Sequence, residues 1–403
     1  HQKTRIGYRN ATVYASWVSM LFAGDSANRR PRSPTQTQTQ NINLQVKSFA
    51  TGFEIPWGMA FLPDTSMLVT DLSGVLFRVY QNGKKDKIKG LPDVYYRGQG
   101  GLLDVEVHPD YFENNCIYIS YSQPKGRTAF TAIAKARLIG NRLQDFNVIY
   151  SAKSKHFSKK SVHFGSRFAI WGDYLFFSIG DRGEREEAQD LNKPNGKIHR
   201  LHLDGRIPKD NPYKSEDGKT STIWCYGNRN PQGLDFTKDG ILWESEHGPR
   251  GGDELNRLSR GNNYGWPKTS YGTNYLDGAD GKSYKISHET LNFTEPLVAL
   301  VPSVGISALN NCPKILIDYY KKNCLLALSL HGNNLRSGKS IIIFLLNDDL
   351  NRVILTEKIY TGNNVLRHFV TDEQNRLFED KKGNIYISAD KKGIYRVSFK
   401  NFR

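Results

Sequence analysis

No stretch of this 403-residue chain reaches the roughly 20 consecutive apolar residues that a membrane-spanning helix needs, so a transmembrane segment is excluded. The four cysteines, Cys116, Cys225, Cys312 and Cys324, form neither a CxxC pair nor any zinc-ligand spacing, which argues against a sulfur-bound metal. Cys312 and Cys324 can bridge if the chain is exported, and two buried thiols fit the sequence equally well. Acids are outnumbered, 40 against 56 bases, giving a net charge of +16 and a field that attracts anions. The excess is scattered as KK and RR pairs without a helix-turn-helix, zinc-finger or RNA-recognition signature, so it reads as a solvated basic surface and not a nucleic-acid site. GxSxG, HExxH, P-loop and GxGxxG motifs are all missing, which removes the commonest hydrolase and nucleotide chemistries.

What is abundant suits sheets. Glycine (36 residues) and aromatics (12%) are plentiful and methionine (three) is scarce. From Leu44 onward a turn of Pro-Asp, Lys-Asp-Gly or Lys-Lys-Gly-Asn launches an aromatic or β-branched strand that ends in Asp, Glu or Ser, as in LPDTSMLVTD, TKDGILWESE and KKGNIYISAD. The unit recurs at roughly 50 to 60 residues, the spacing of one small antiparallel sheet per repeat. Such sheets cannot bury both faces alone, and arrayed radially they make a propeller. The expectation is an all-β, six-bladed β-propeller of four-stranded blades over residues 44–403. Segments 185–222 and 266–295 lack clean alternation and read as loops over one face, where function collects.

Ahead of the propeller, Lys3, Arg5 and Arg9 precede the apolar run Ala11 to Ala23 and then small residues. Residues 1–27 therefore look like a signal peptide, which predicts a periplasmic or secreted protein. Residues 28–43, NRRPRSPTQTQTQNIN, form a low-complexity linker.

The densest polar stretch is Trp224 to Pro267, where Arg229, Asn230, Glu246, His247, Asp253 and Glu254 sit among many glycines. Polar groups of fixed geometry beside backbone that permits close approach make a site. The Arg229 fork on a turn suits a planar, oxygen-rich anion or, equally, a structural ion pair. The run Glu246 to Glu254 offers Gly/Pro-turn carbonyls and carboxylates, hard oxygen ligands that favour calcium, although an Asx-type turn with solvent-facing acids reads the same way. Upstream, His163 in VHFGSRF is a candidate base or a turn histidine. Gln99, flanked by Gly98 and Gly100, can orient a ligand close to the backbone.

Taken in order, GQGGLLDVEVHPDY, HFGSR, YGNRNPQGL and EHGPRGGDELNRLSRGNNYGWP resemble the soluble aldose sugar dehydrogenases, the pyrroloquinoline-quinone (PQQ) family related to soluble glucose dehydrogenase. The likeness runs from about Ile55 to Val397. It implies PQQ and a calcium ion near the propeller axis, an aldose substrate oxidised at C1 to a lactone, and a separate electron acceptor. By position, His163 is the base and Arg229 stabilises the developing charge on the quinone. Gln99 and Asn230 orient sugar and cofactor, while the carbonyls of Gly248 and Pro249 hold calcium. Asp253, Glu254 and Tyr264 fall where the family places further metal or structural contacts. Two cofactor clamps depart from the pattern: His331 or a neighbour replaces a lysine, and Arg376 retains only the first arginine of an Arg-x-Arg pair, with Phe378 in place of the second. Val162 replaces the acid that precedes the base in the glucose dehydrogenase branch. Each lost charge-assisted clamp is worth roughly 1.5 to 3 kcal/mol, so the alternative is a propeller that has lost the cofactor and serves as a carbohydrate or protein binding module. A propeller lactonase would need a calcium ringed by Asn and Asp side chains from several blades, and that ring is not assembled in the sequence.

Overall fold

The computed structural model describes residues 12–14, 42–273, 288–330, 339–374 and 383–400. Local chemistry starts each strand. In LPDTSMLVTD the Leu62 N–H bonds Ser66 O (2.8 Å) and Thr65 N–H bonds Leu62 O (3.0 Å), with Thr65 at φ +73°. The Asp64 carboxylate takes the Ser66 N–H at 3.0 Å and tightens the same turn. The strand that follows, Met67–Asp71, is buried throughout. In TKDG, Gly240 supplies the positive φ (+75°) and Leu242–Glu246 follows, again buried.

Six antiparallel four-stranded sheets result. Their innermost strands are Pro56–Phe61, Leu102–Val107, Phe168–Trp171, Pro231–Phe236, Ile306–Asn311 and Leu366–Thr371, defining blades one to six in chain order. These strands adjoin one another around the axis. On the fourth blade a short strand, Thr12–Tyr14, runs parallel beside Val298–Leu300; the rest of the leader-like segment lies outside the described residues. The sixth blade closes the ring: its outermost strand is Asn43–Ala50, paired antiparallel with Gly393–Lys400. Apolar cores lie between neighbouring blades, for example Leu326, Ile343 and Leu345 of the fifth against Phe369, Ile385 and Val397 of the sixth.

One buried cation ties the hub together. Arg167 donates to Gln232 O (2.7 Å), Trp57 O (3.1 Å) and Arg367 O (3.1 Å), and its Nη1 lies 3.4 Å from Asp104 Oδ1. Its guanidinium stacks 3.8 Å over the Trp57 ring, so a single side chain spans blades one, two, four and six. Beside Arg167 lies a cavity of about 460 Å³ lined from all six blades, including Met59, Glu106, Asp235 and Asn310. None of the predicted site residues that are described lines it.

Candidate active site

The predicted residues on blades two to four do come together, in the loops that lead into the inner strands. Gln99 and the segment carrying His163 hold each other: Gln99 N–H donates to Ser161 O, and His163 N–H donates to Gln99 Oε1, both at 2.8 Å. Glycine is required at position 100, where a Cβ would sit 2.9 Å from the Phe164 ring. His163 itself adopts a left-handed backbone, φ +53°, which turns its side chain out of the strand path. Arg182 fixes the segment from behind, stacked 3.7 Å over Phe164 and donating to Val162 O (3.0 Å), Ala129 O (3.1 Å) and Lys160 O.

The sequence reading missed the partner of His163. His163 Nδ1 lies 2.6 Å from Asp181 Oδ1, and Asp181 is buried at the end of the strand Tyr174–Ile179. The carboxylate also accepts from Gly183 N–H (2.7 Å) and from the Trp266 indole N–H (2.8 Å). Burial alone pushes its carboxyl up, but the hydrogen bond and charge of His163, the charge of Arg229 and the Gly183 amide outweigh that and hold it below the usual carboxylate range. An ionised Asp181 favours the tautomer with Nδ1–H, so that in the neutral imidazole the lone pair is on Nε2, the nitrogen away from the carboxylate.

Arg229 and Asn230 join this dyad from the fourth blade. Asp181 N–H bonds Arg229 O at 2.7 Å, and the amides of Arg229 and Asn230 both donate to Glu246 Oε2. Asn230 is buried and its Oδ1 accepts from Gly165 N–H (3.3 Å) and Gln232 Nε2 (3.1 Å). The Arg229 guanidinium lies 5.3 Å from the Trp266 ring centroid, its Nη1 donates to His247 O (3.3 Å), and its buried Nε–H has no acceptor among the described residues. An orphaned donor on an arginine fork costs free energy unless an anion meets it. That donor set fits a quinone oxygen or a carboxylate.

The predicted calcium turn is tight. A Cβ on Gly248 would meet Gly251 O at 2.2 Å and Gly252 O at 2.4 Å, and Gly251 and Gly252 take φ values of +83° and +73°. Asp253 staples it: Oδ1 accepts from Gly248 N–H (3.0 Å) and the Ser303 hydroxyl, and Oδ2 from Val304 N–H (3.1 Å) and Ile306 N–H (3.0 Å). Its oxygens serve the protein, as does the Tyr264 hydroxyl, which donates to Arg257 O and accepts from Ser259 N–H, both at 2.8 Å. Glu254 is buried and accepts from Asn256 Nδ2 (3.2 Å), and burial raises its carboxyl well above the ordinary range. Among the described residues no group of three or more His, Cys, Asp and Glu side chains could hold a metal, which leaves main-chain carbonyls as the donors to consider. His331, Arg376 and Phe378 lie outside the described residues.

The sequence profile of the Glucose / Sorbosone dehydrogenase family matches residues 53–393, which spans all six blades. The chain belongs to that family. It is 42% identical over 242 residues to the aldose sugar dehydrogenase YliI of Escherichia coli, covering 58% of this chain and 64% of that one. It is 32% identical over 276 residues to the quinoprotein glucose dehydrogenase B of Acinetobacter calcoaceticus, covering 60% of this chain and 56% of that one. A solved glucose dehydrogenase superposes with a TM-score of 0.76 at 31% identity over 88% of this chain and 98% of its own. The matches thus span about two thirds or less of these two curated relatives, and nearly the whole of the solved structure.

Proposed function

We propose that this chain is a PQQ-dependent, calcium-assisted aldose dehydrogenase that oxidises C1 of aldoses to the lactone. The observation that carries the reading is the His163–Asp181 dyad beside an Arg229 whose Nε–H has no acceptor among the described residues. Its relatives' names, aldose sugar dehydrogenase and quinoprotein glucose dehydrogenase, support the substrate class and the cofactor.

PQQ bound here would supply a two-electron quinone acceptor for the hydride of C1. His163 Nε2 takes the proton of the C1 hydroxyl as the hydride departs, so the sugar loses two electrons and one proton is retained on the imidazole. Asp181 stabilises the imidazolium that forms and fixes the ring orientation, with Trp266 in turn fixing the carboxylate. Arg229 donates from Nε and its fork to oxygen where negative charge develops, at little reorganisation cost because Glu246 fixes its backbone amide and His247 O and the Trp266 ring hold its fork. Gln99 and Asn230 orient sugar and cofactor. Carbonyls of Gly248 and Pro249 would hold the calcium, whose charge polarises the quinone. A separate electron acceptor would reoxidise the cofactor.

The Cys312–Cys324 disulfide supports an exported, periplasmic or secreted location. No helix among the described residues is long and apolar enough to cross a membrane. The deciding experiment adds PQQ and calcium to the purified protein and follows dye reduction with glucose. Activity lost in His163→Ala is expected; no activity at saturating cofactor, or full activity in that variant, refutes the reading. Calorimetric titration with PQQ separates it from a binding module, for which the dissociation constant would lie far above micromolar.

A further inference from the structure

Lys197 opens the strand Lys197–His202 and is fully buried, yet no carboxylate among the described residues reaches ion-pair distance of it. Its Nζ donates instead to three main-chain carbonyls: Glu187 O (2.7 Å), Asn195 O (2.8 Å) and Ala188 O (3.3 Å). All three belong to residues 185–195, one of the segments whose irregular pattern marked it as a loop over the functional face. Backbone satisfaction explains little of this arrangement. Glu187 O already accepts from Asp190 N–H (3.1 Å) and Ala188 O from Gly227 N–H (3.2 Å), so Asn195 O alone depends on the lysine. Burying an ammonium is costly, and a methionine of similar length would fill the space without that cost. Burial pulls the Lys197 pKa down to about 7, partly offset by Asp190 and Glu187 and reinforced by Lys193.

The fastened segment touches both sides of Asp181. Asn195 Nδ2 donates to Asp181 O and to Glu187 Oε2, each at 2.9 Å. Gln189 Nε2 donates to Trp266 O at 2.7 Å, and the Trp266 indole holds Asp181 Oδ2. The lysine grip therefore reaches the residue that aims His163 by two short routes, one through Asn195 and one through Gln189 and Trp266.

We propose that Lys197 is a positioning residue for the His163–Asp181 dyad, its ammonium serving as the pin that holds residues 185–195 against Asp181. The proposal rests on the catalytic reading of His163. It differs from a structural role in what Lys197→Met should do. The folded-state pKa is depressed, so the unfolded chain binds the proton more tightly; the cost of burying the ammonium is fully present below about pH 7 and is relieved as pH rises from there toward the unfolded value. Lys197→Met should thus melt at or above the wild type at pH 6.5, while kcat for glucose falls roughly 10- to 100-fold with KM little changed, as expected when a catalytic group is slightly misplaced. Lys197→Arg, which keeps a cation and several donors, should restore most of kcat. Asn195→Ala, which leaves the lysine in place, should reproduce the kcat loss.

Amide hydrogen exchange in the cofactor-free protein gives a readout independent of activity. The Asp181 N–H, bonded to Arg229 O, should exchange roughly tenfold faster in Lys197→Met, while the strand Leu366–Thr371 stays unchanged. Wild-type kcat in Lys197→Met or in Asn195→Ala overturns the proposal, and so does a Lys197→Met chain that fails to fold, because that assigns the lysine to the core. If the wild type proves inactive with PQQ and glucose, the catalytic reading falls by itself and the exchange experiment still decides whether Lys197 holds Asp181.

Discussion

Replacing Arg167 with leucine tests the hub of the propeller. The side chain is buried, donates to three carbonyls from three blades and sits 3.4 Å from Asp104, which is buried as well. Removing the cation leaves Asp104 with its two backbone amide donors, from Phe168 (3.0 Å) and Val105 (3.0 Å), and without a countercharge. Breaking a buried pair from one side costs about 3 to 5 kcal/mol. At about 2 °C per kcal/mol for a large domain, the melting temperature should fall by roughly 6 to 10 °C. The double variant Asp104→Leu/Arg167→Leu removes the stranded charge and should recover more than half of that loss. The penalty should also shrink in acid. Burial raises the Asp104 carboxyl, and Arg167 lowers it together with the Phe168 and Val105 amides, so without the arginine it protonates at higher pH. A folded-state pKa above the unfolded one means stability that is present at low pH and lost as pH rises. Calorimetric melts of the three proteins at pH 5 and pH 7.5 provide the assay. A single variant that melts within 1 °C of the wild type, or a double variant no better than the single, would refute the reasoning.

Asp181→Asn removes the charge that supports the imidazolium while nearly preserving shape, and kcat should drop roughly 100- to 10,000-fold with KM changed far less, measured by dye reduction with PQQ and calcium present. Cys312→Ser opens a short loop closed by the Cys312–Cys324 bridge and should cost about 3 kcal/mol in guanidinium unfolding, leaving kcat unaltered. Glu106, in the axial cavity, is pushed up to about 8 by burial and by the nearby Asp104 and Asp235 carboxylates. Its folded pKa exceeds the unfolded one, so the wild type should lose stability as pH rises from about 4.5 toward 8; thermal melts of Glu106→Gln should show a flatter decline over that window.

The blades were legible because their signals are local. The turn at Pro63-Asp64 and the alternation in Met67–Asp71 lie within ten residues, and the same grammar repeats. Of the site, Arg229 and Asn230 stood out because their glycine and proline neighbours mark a turn that ordinary packing does not require. Asp181 stayed hidden, since as a strand-ending acid it looks identical to Asp71 or Glu246, and its partner lies 18 residues upstream. Arg167 was equally opaque: it falls inside the HFGSRF motif, but its acceptors are 65, 110 and 200 residues away. The 12-residue separation of Cys312 and Cys324 allowed a bridge without requiring one, and the Cα–Cα distance of 5.4 Å between adjoining elements is what brings them to bonding range.

The pairing of Asn43–Ala50 with Gly393–Lys400 has a consequence for biosynthesis. The first propeller strand to leave the ribosome must wait for nearly the last, some 350 residues later, before it gains a neighbour. Five blades can form in order from hairpins, but the sixth stays open along one edge until residues 393–400 emerge, from the ribosome or from a translocation channel if the chain is threaded across a membrane. During that interval Leu44 and Val46 present an unpaired strand to solvent, the kind of edge that chaperones cover and that other nascent chains can capture. A tag or fusion partner that delays release of residues 393–400 should therefore lower soluble yield more than one of equal size placed ahead of residue 42.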